Sequence, residues 1–255
     1  MINLKRSADR RAVMTERLDP LGLPYQFFEA VDGYALDTDS LPNYARKRRR
    51  LFFGRDLTQG EVGCLLSHRA VYQHMLNQNI ESAIILEDDA ILQKDFADVI
   101  RSVFSLPFKW DMVRFLDSEK VYRKSRPVVP LFGRYALIRT MIASGGAYAY
   151  ILTKDAARVL LEHTQASDAP IDMIHGYVWK TGLEVFAVNP SPVRPDHIIA
   201  STIGHVRFDK TSQLSGWEKA AHPFARFWLK TSELVGKRMT YWKTWPKDSA
   251  QQTKR

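Results

Sequence analysis

The chain has 255 residues, 45% of them hydrophobic, and its 37 Lys and Arg residues exceed its 28 Asp and Glu residues by a formal net charge of +9. This length predicts one main domain, residues 1–211, with a tail over residues 212–255. The single cysteine, Cys64, excludes an internal disulfide and any cysteine-cluster metal site, and its apolar helical surroundings predict a buried, inert thiol.

The positive charge predicts affinity for a polyanion, which is nucleic acid, anionic lipid or a phosphorylated substrate. It is concentrated in residues 46–50 and from His222 onward. Neither stretch matches a nucleic-acid-binding module, and basic residues interleaved with bulky apolar ones favour a bilayer surface. We expect no membrane span and no secretory signal, because no run of about 18 apolar residues occurs. The expected location is therefore the cytosol.

The N-terminal segment predicts a strand, a helix and a second strand in succession. The strands are expected at residues 1–4 and 25–30. Between them, Ser7 is a good N-cap for a helix that should end near Gly22. Asp32 and Gly33 then predict a turn. A strand–helix–strand unit favours parallel pairing, and so an α/β fold.

Residues 35–57 show no clear periodicity, so we expect a long loop that carries the basic residues 46–50. Thr58 and Glu61 match a capping box, which predicts a helix from there to about Asn79. Glu61 and His68 lie on one face of this helix. We favour plain roles for both, a cap and a satisfied core histidine, over roles in a cleft.

Four further strands and one helix are predicted, with the helix over residues 154–163 and capped by Thr153. The strands are expected at residues 82–86, 110–116, 145–152 and 183–188. The first of them is a short continuous apolar run, which is typical of a central buried strand. A proline-rich turn follows the last strand at residues 189–192.

The strand at residues 82–86 ends in an acidic triplet, Glu87-Asp88-Asp89. Oxygen ligands suit Mg²⁺ or Mn²⁺, and such a cation can neutralise a diphosphate as a Lewis acid. Because residues two apart on a strand face the same way, Glu87 and Asp89 can converge on one site. The alternative is that the triplet is simply a solvated turn.

Five segments of the chain resemble glycosyltransferase family 25, the lipooligosaccharide galactosyltransferase group related to the collagen galactosyltransferases. The resemblance runs from the first residues to about Pro195. Its segments are Ile2-Asn3-Leu4-Lys5-Arg6-Ser7 with Arg10-Arg11, Phe28-Glu29-Ala30-Val31-Asp32-Gly33, Gly60-Glu61-Val62-Gly63-Cys64-Leu65-Leu66-Ser67-His68, Ile85-Leu86-Glu87-Asp88-Asp89, and residues 144–152 with Pro170-Ile171-Asp172.

The resemblance implies a GT-A-type, Rossmann-like nucleotide-binding sheet flanked by helices. It also implies a UDP-sugar donor, commonly UDP-galactose, and inverting transfer to a lipooligosaccharide or lipopolysaccharide acceptor. The acidic triplet takes the place of the family's DxD-like motif, with glutamate at its first position. Asp89 and Glu87 would then hold Mn²⁺ or Mg²⁺, and Glu87 would be shared with the ribose. His205 or His197 would complete the metal shell, although a plain surface histidine remains the alternative.

Besides Glu87 and Asp88, a set of residues is assigned to the donor or its sugar: Asn3, Leu4, Lys5, Arg10, Arg11, Asp32, Gly145 and Gly146. The first three end the first strand, where the resemblance implies contacts to uracil and ribose. The arginines can make paired hydrogen bonds to the diphosphate, with one of the two expected to be solvated. Asp32 is assigned to ribose hydroxyls in preference to a turn role, and the glycines to close backbone approach.

An inverting transferase needs a carboxylate that removes the proton of the acceptor hydroxyl as its oxygen attacks the anomeric carbon. Asp172 is the leading candidate, because it follows a proline and belongs to the segments that resemble the family. Asp117 and Asp168 remain alternatives.

The tail carries nine Lys or Arg residues against three acids over residues 217–255, interspersed with aromatic residues. This composition predicts a basic and aromatic helical segment on an anionic membrane, at the inner face of the bacterial inner membrane, where a lipid-linked acceptor would lie. The alternative is that the aromatic residues belong to the core. Two other functions stay open: a polyanion- or nucleic-acid-binding protein, and a catalytically silent relative. No nucleic-acid partner is expected.

Overall fold

The structure, a computed structural model, describes residues 1–38, 40–141, 145–196 and 213–252. The strands of these residues are β1 (Ile2–Asn3), β2 (Phe28–Glu29), β3 (Ser82–Leu86), β4 (Ala90–Leu92), β5 (Met112–Arg114), β6 (Ser125–Pro130), β7 (Ala136–Thr140), β8 (Ala149–Thr153), β9 (Val185–Asn189) and β10 (Val193–Pro195). The helices are α1 (Ala8–Leu18), α2 (Arg46–Phe53), α3 (Gln59–Asn77), α4 (Phe96–Phe104), α5 (Glu119–Arg123), α6 (Lys154–His163), α7 (Ile171–His175), α8 (Val178–Thr181), α9 (Trp217–Lys243) and α10 (Trp245–Gln252).

Six strands form the central sheet, in the order β3-β8-β5-β9-β7-β6. Only the β5–β9 pair is parallel, and the other four pairs are antiparallel. The α/β class is confirmed, but the expectation of a Rossmann-like sheet is not met, because that sheet is mainly parallel. One reason is the antiparallel β6–β7 pair, which the sequence analysis did not predict. Antiparallel strands need only a short connection, here residues 131–135.

The strand that precedes the acidic triplet lies at an edge of this sheet, so its predicted central position is wrong. Within the sheet β3 pairs only with β8. Beyond its end, a single parallel bridge joins Glu87 to Ile2 of β1. The parallel pairing predicted for the N-terminal unit is confirmed, since β1 and β2 pair in parallel across α1. The edge position leaves the end of β3 next to the N-terminal segment.

Alternate residues of the strands face two separate layers of apolar side chains, as the two-residue period of a strand requires. In β8, Tyr150 and Leu152 face a layer formed with α3, α6 and α7. Ala149 and Ile151 of the same strand face a layer formed with α1 and α4. The sheet is therefore covered by helices on both faces, as expected from its nearly continuous apolar strands.

The basic residues 46–50 belong to helix α2, so the loop predicted for residues 35–57 is wrong over this stretch. Arginine and lysine are good helix formers, and periodicity was absent because the helix is polar on most sides. Its arginines are engaged within the fold: Arg48 lies 2.7 Å from Asp168, and Arg50 lies 2.8 Å from Asp56. Much of this positive charge is therefore compensated locally.

The predicted capping box is confirmed, and α3 begins after Thr58 and ends at Asn77. The turn after β2 is packed directly on this helix. A Cβ atom at Gly33 would lie 1.8 Å from the carbonyl oxygen of Gln59, so only glycine allows this approach. The Val31 N–H donates a hydrogen bond of 2.8 Å to Ser67 Oγ. The turn and α3 thus form one wall.

The C-terminal helices are attached to the domain through a buried ion cluster. Asp248 of α10 accepts hydrogen bonds from the guanidinium groups of Arg126 and Arg139, which lie on β6 and β7. The predicted helical character of the tail is confirmed, and the predicted boundary at residue 211 falls outside the described residues. Among the helices of residues 1–38, 40–141, 145–196 and 213–252, none is long and apolar enough to cross a membrane.

Candidate active site

A cleft with a volume of about 80 Å³ lies where β1, the turn after β2, α3 and the end of β3 meet. It brings together segments that are far apart in the chain and that carry the resemblance described above. Its lining residues are Ile2, Asn3, Leu4, Arg6, Ala30, Val31, Asp32, Gly33, Tyr34, Gly60, Gly63, Cys64, Ser67, His68, Glu87 and Asp88.

Asp88 connects the N-terminal segment to the end of β3. Its Oδ2 accepts a hydrogen bond of 2.8 Å from Asn3 Nδ2, and its Oδ1 lies 2.9 Å from a guanidinium nitrogen of Arg10. The structure therefore brings these three predicted site residues together. It does not bring Arg11 with them, because its guanidinium lies 4.3 Å above the ring of Phe27 and the residue is exposed.

Asp32 has a turn role in this structure. Its Oδ1 accepts a hydrogen bond of 3.1 Å from the Tyr34 N–H and starts a short 3-10 helix, and its carboxylate forms an ion pair with Arg6. Asp32 and Leu4 line the cleft, whereas Lys5 is exposed outside it. Arg6 lies inside the first segment of the resemblance, but the sequence analysis gave it no role.

His68 is fully buried, and its Nε2 lies 2.9 Å from Glu87 Oε1. Its Nδ1 lies 2.6 Å from the hydroxyl of Tyr150, which lies 2.9 Å from the hydroxyl of Tyr72. The Tyr72 hydroxyl in turn lies 2.6 Å from His175 Nε2. His68 is thus a satisfied core histidine, as favoured from the sequence, and it also contacts the acidic triplet.

One arrangement of protons satisfies every contact of this buried chain. Burial lowers the pKa of His175 well below its usual range, so the ring is neutral, and its Nδ1 has no hydrogen-bond partner in the part of the chain that the structure describes. Its Nε2–H then donates to Tyr72, Tyr72 to Tyr150, and Tyr150 to His68 Nδ1. The remaining His68 proton, on Nε2, points to Glu87. The chain therefore delivers a donor to the carboxylate and fixes its orientation.

Glu61 has the predicted capping role. Its carboxylate accepts from the Thr58 N–H at 2.8 Å and lies 3.0 Å from Arg55. Cys64, by contrast, contacts the acidic triplet, because its Sγ lies 3.6 Å from Glu87 Oε1. Burial and the nearby Glu87 carboxylate raise the pKa of the thiol well above its usual value, in agreement with the predicted inert thiol.

Within the described part of the chain, one group of three side chains can converge on a metal ion: Cys64, His68 and Glu87, whose ligand atoms lie within 4.8 Å of one another. Sulfur and nitrogen donors suit zinc better than Mg²⁺ or Mn²⁺. This group differs from the expected ligands Asp89, Glu87 and His205, of which it shares only Glu87. His205 and its alternative His197 lie outside the described residues.

Asp89 is half-buried, and its Oδ1 is shielded from solvent and has no hydrogen-bond partner among the described residues. Burial, followed by the charges of Glu87 and Asp88, raises the pKa of Asp89 from 3.8 to about 7. An unpartnered carboxylate oxygen beside two like charges is costly in a folded protein. These oxygens fit a hard divalent cation, which would relieve both the repulsion and the missing contact.

Asp172 begins α7 and faces the glycines that precede β8. Its Oδ2 accepts a hydrogen bond of 3.4 Å from the Gly146 N–H. Fully buried Arg114 donates to the backbone carbonyls of Gly146 and Asp172, at 3.1 and 3.2 Å. Burial lowers the pKa of Arg114 to about 10, while the charge of Asp172 opposes this shift. Arg114 was missed, although a charged residue within a predicted strand was a usable signal.

The two glycines before β8 have φ angles that L side chains rarely adopt, +153° at Gly145 and +91° at Gly146. A Cβ atom at Gly146 would lie 2.8 Å from the ring of Tyr148. The close approach of the Gly146 backbone to the Tyr148 ring therefore explains the need for glycine by packing within the protein. The alternative acids are both near cations: Asp168 lies 2.7 Å from Arg48, and Asp117 lies 3.5 Å from Arg194.

Comparison with known proteins shows the family to which the chain is similar. The family model described as glycosyltransferase family 25 (LPS biosynthesis protein) matches residues 1–175. A glycosyltransferase 25 family member of Aedes aegypti is 31% identical over 64% of the chain and 27% of its own length. Procollagen galactosyltransferase 1-B of Xenopus laevis is 24% identical over 86% of the chain and 40% of its own length.

A probable inactive glycosyltransferase 25 family member 3 of Bos taurus is 25% identical over 77% of the chain and 36% of its own length. The chain thus spans two fifths or less of these curated relatives. The family match covers more than half of the chain and includes every segment that lines the cleft. The chain belongs to glycosyltransferase family 25.

Proposed function

We propose that the chain transfers a sugar, galactose in the first instance, from a UDP-sugar to a saccharide acceptor with inversion at the anomeric carbon. The proposal places the donor in the cleft, within a GT-A-type domain. The observation that carries it is the shielded Oδ1 of Asp89, which has no hydrogen-bond partner in the described part of the chain and lies next to two carboxylates, those of Glu87 and Asp88, that line the cleft. These carboxylates suit a UDP-sugar whose diphosphate binds together with a divalent cation.

Asp89 and Glu87 are the residues that would hold Mn²⁺ or Mg²⁺. When bound, the cation supplies positive charge that stabilises the departing diphosphate. Asp88 has a different task, because Asn3 and Arg10 occupy its two oxygens. It keeps the end of β1 beside the end of β3, and so shapes the nucleotide end of the cleft. His68 and the tyrosines behind it hold the Glu87 side chain in one orientation.

Asp172 is the proposed general base. The acceptor hydroxyl oxygen bonds to the anomeric carbon, the proton of that hydroxyl passes to the Asp172 carboxylate, and the bond from the anomeric carbon to UDP breaks. The hydrogen bond from the Gly146 N–H orients the carboxylate. Arg114 holds the two backbone segments that carry these groups.

The proposed acceptor is a lipid-linked saccharide of lipooligosaccharide or lipopolysaccharide, at the inner face of the bacterial inner membrane. The family description, LPS biosynthesis, supports this acceptor, and the galactosyltransferase named among the relatives supports galactose. The second candidate is a catalytically silent relative, which the probable inactive relative favours. The polyanion alternative is weaker, because arginines of α2 are paired with acids.

The test is a panel of UDP-sugars, each with Mn²⁺, with Mg²⁺ and with a chelator. We expect transfer, or slow donor hydrolysis, that falls about 10²–10³-fold in Asp89→Ala, because stabilisation of the leaving diphosphate is lost. Asp155→Ala removes an exposed acid and serves as the matched control. Undiminished activity in chelator would refute the metal assignment. UDP binding without turnover of any donor would favour the silent relative.

A further inference from the structure

The C-terminal helix α9 has 27 residues and is therefore about 40 Å long. One side of it packs on the domain, against α2 and α8. There Leu229 is buried, and a Cβ atom at Gly236 would lie 2.4 Å from the ring of Trp179. His222 Nδ1 lies 2.7 Å from the carbonyl oxygen of Leu51. These contacts fix which face of α9 points away from the protein.

The face turned away from the protein is apolar. Six of its side chains form what we call the exposed stripe: Trp217, Phe224, Trp228, Val235, Met239 and Trp242. Their exposed fractions lie between 47% and 78%. At 100° per residue, all six fall within a sector about 60° wide, whose centre lies about 110° around the helix from Leu229, Gly236 and His222. A surface helix normally presents polar residues there, so the stripe calls for a partner.

The surroundings of the stripe are positively charged. Exposed cations of the same helix are Lys219, Arg226, Lys230, Arg238 and Lys243. Its buried acid, Glu233, forms ion pairs with Lys230 and Lys237, and the acid of α10, Asp248, is enclosed by two arginines. At 100° per residue, Arg238 and Lys243 flank the stripe on its two sides, whereas Lys219, Arg226 and Lys230 lie on the far side of the helix.

We propose that the exposed stripe docks on an anionic lipid bilayer, with α9 lying in the plane of the interface. Tryptophan rings suit the headgroup level, and the flanking cations attract anionic headgroups. A second copy of the chain fits this face less well, because pairing of two stripes would bring the same cations opposite one another. The proposal names the membrane surface that the lipid-linked acceptor requires. It rests on α9 alone, and it stands if no sugar is transferred.

The experiment uses the full chain, because removal of the tail would take Asp248 from two buried arginines. The protein is sedimented with vesicles of phosphatidylcholine alone and with vesicles that also contain phosphatidylglycerol, at low and high salt. We expect binding only to the anionic vesicles, and weaker binding at high salt. The double variant Phe224→Ser/Trp228→Ser should bind at least about tenfold more weakly, because two large side chains no longer enter the interface.

The matched control is Phe104→Ser/Phe132→Ser, which removes two exposed aromatic residues away from α9 and should leave vesicle binding unchanged. Arg238→Glu/Lys243→Glu, at the two cations that flank the stripe, should also weaken binding to anionic vesicles, whereas Lys94→Glu/Lys120→Glu should weaken it far less. Thermal unfolding of each variant verifies that it is folded. Undiminished binding by the stripe variant, or equal binding to neutral vesicles, overturns the proposal.

Sedimentation velocity tests whether a second copy of the chain, rather than a membrane, covers the stripe. A dimer of the full chain that becomes a monomer in Phe224→Ser/Trp228→Ser would assign the face to a second copy and overturn the membrane proposal. Transfer to a soluble acceptor is measured in the same variants and should be unchanged. Vesicle binding without transfer would reject the proposed function and leave the docking surface standing.

Discussion

Two carboxylates with shielded oxygens, Asp248 and Asp89, have contrasting surroundings. Asp248 accepts hydrogen bonds from Arg139 at 2.7 and 2.9 Å and from Arg126 at 2.8 Å, so its charge is compensated within the fold. Asp89 has an oxygen without a partner among the described residues, and it has two acidic neighbours. Asp248 therefore serves stability, whereas Asp89 is the carboxylate that we propose meets a ligand.

The largest effect on stability is expected at Asp248, whose charge is compensated within the fold. Asp248→Ala leaves two buried guanidinium groups without their carboxylate, and should lower the free energy of unfolding by about 3–5 kcal/mol. Urea denaturation followed by circular dichroism measures this change. Asp155→Ala, which removes an exposed carboxylate paired with Arg158, should remain close to the wild type. Similar stabilities for the two variants would show that the buried cluster does not hold the tail in place.

The next effect concerns Asp172, a carboxylate of the proposed site that accepts its hydrogen bond from a backbone N–H. Asp172→Asn keeps an oxygen for the Gly146 N–H but cannot accept a proton, so transfer should fall about 10²–10⁴-fold. UDP affinity, measured by calorimetry, should be nearly unchanged. Asp168→Asn is the matched control and should retain transfer. Parallel losses of UDP affinity and transfer in Asp172→Asn would place Asp172 at the donor or in the fold.

The smallest effect is the pH dependence of stability due to Asp89. Its pKa of about 7 in the folded chain exceeds the ordinary 3.8, so between these values the folded state binds more protons than the unfolded state. Its contribution to the free energy of unfolding therefore falls as pH rises from about 4 to about 7, and is constant above. In chelator, Asp89→Asn should remove this slope and be the more stable protein at pH 8.

Urea denaturation of both proteins at pH 5 and pH 8 tests this expectation, and added Mn²⁺ should flatten the slope of the wild type by favouring the ionised carboxyl. An identical pH dependence in Asp89→Asn would show that the slope has another origin. Together with the variants at Asp248 and Asp172, this experiment distinguishes acids that stabilise the fold from acids that are proposed to act in the site.

Much of the local structure could be predicted from the sequence. The capping box of Thr58 and Glu61 and the helical tail are confirmed, because each depends on residues a few positions apart. The parallel pairing of β1 and β2 is also confirmed, because a strand–helix–strand unit favours it. Helix α2 and the β6–β7 pair were missed. A helix that is basic on most sides lacks an apolar period, and β6 contains prolines, which argue against a strand.

The sequence by itself determined the family and the residues that could form its site, since the motifs are short and contiguous. Only the tertiary structure decided their tasks. It placed His68 on Glu87, Asp88 between Asn3 and Arg10, and two arginines around Asp248, through contacts that span 19 to 122 positions. The physical reason is that charge compensation and burial depend on which distant segments pack together, and a linear pattern does not record this.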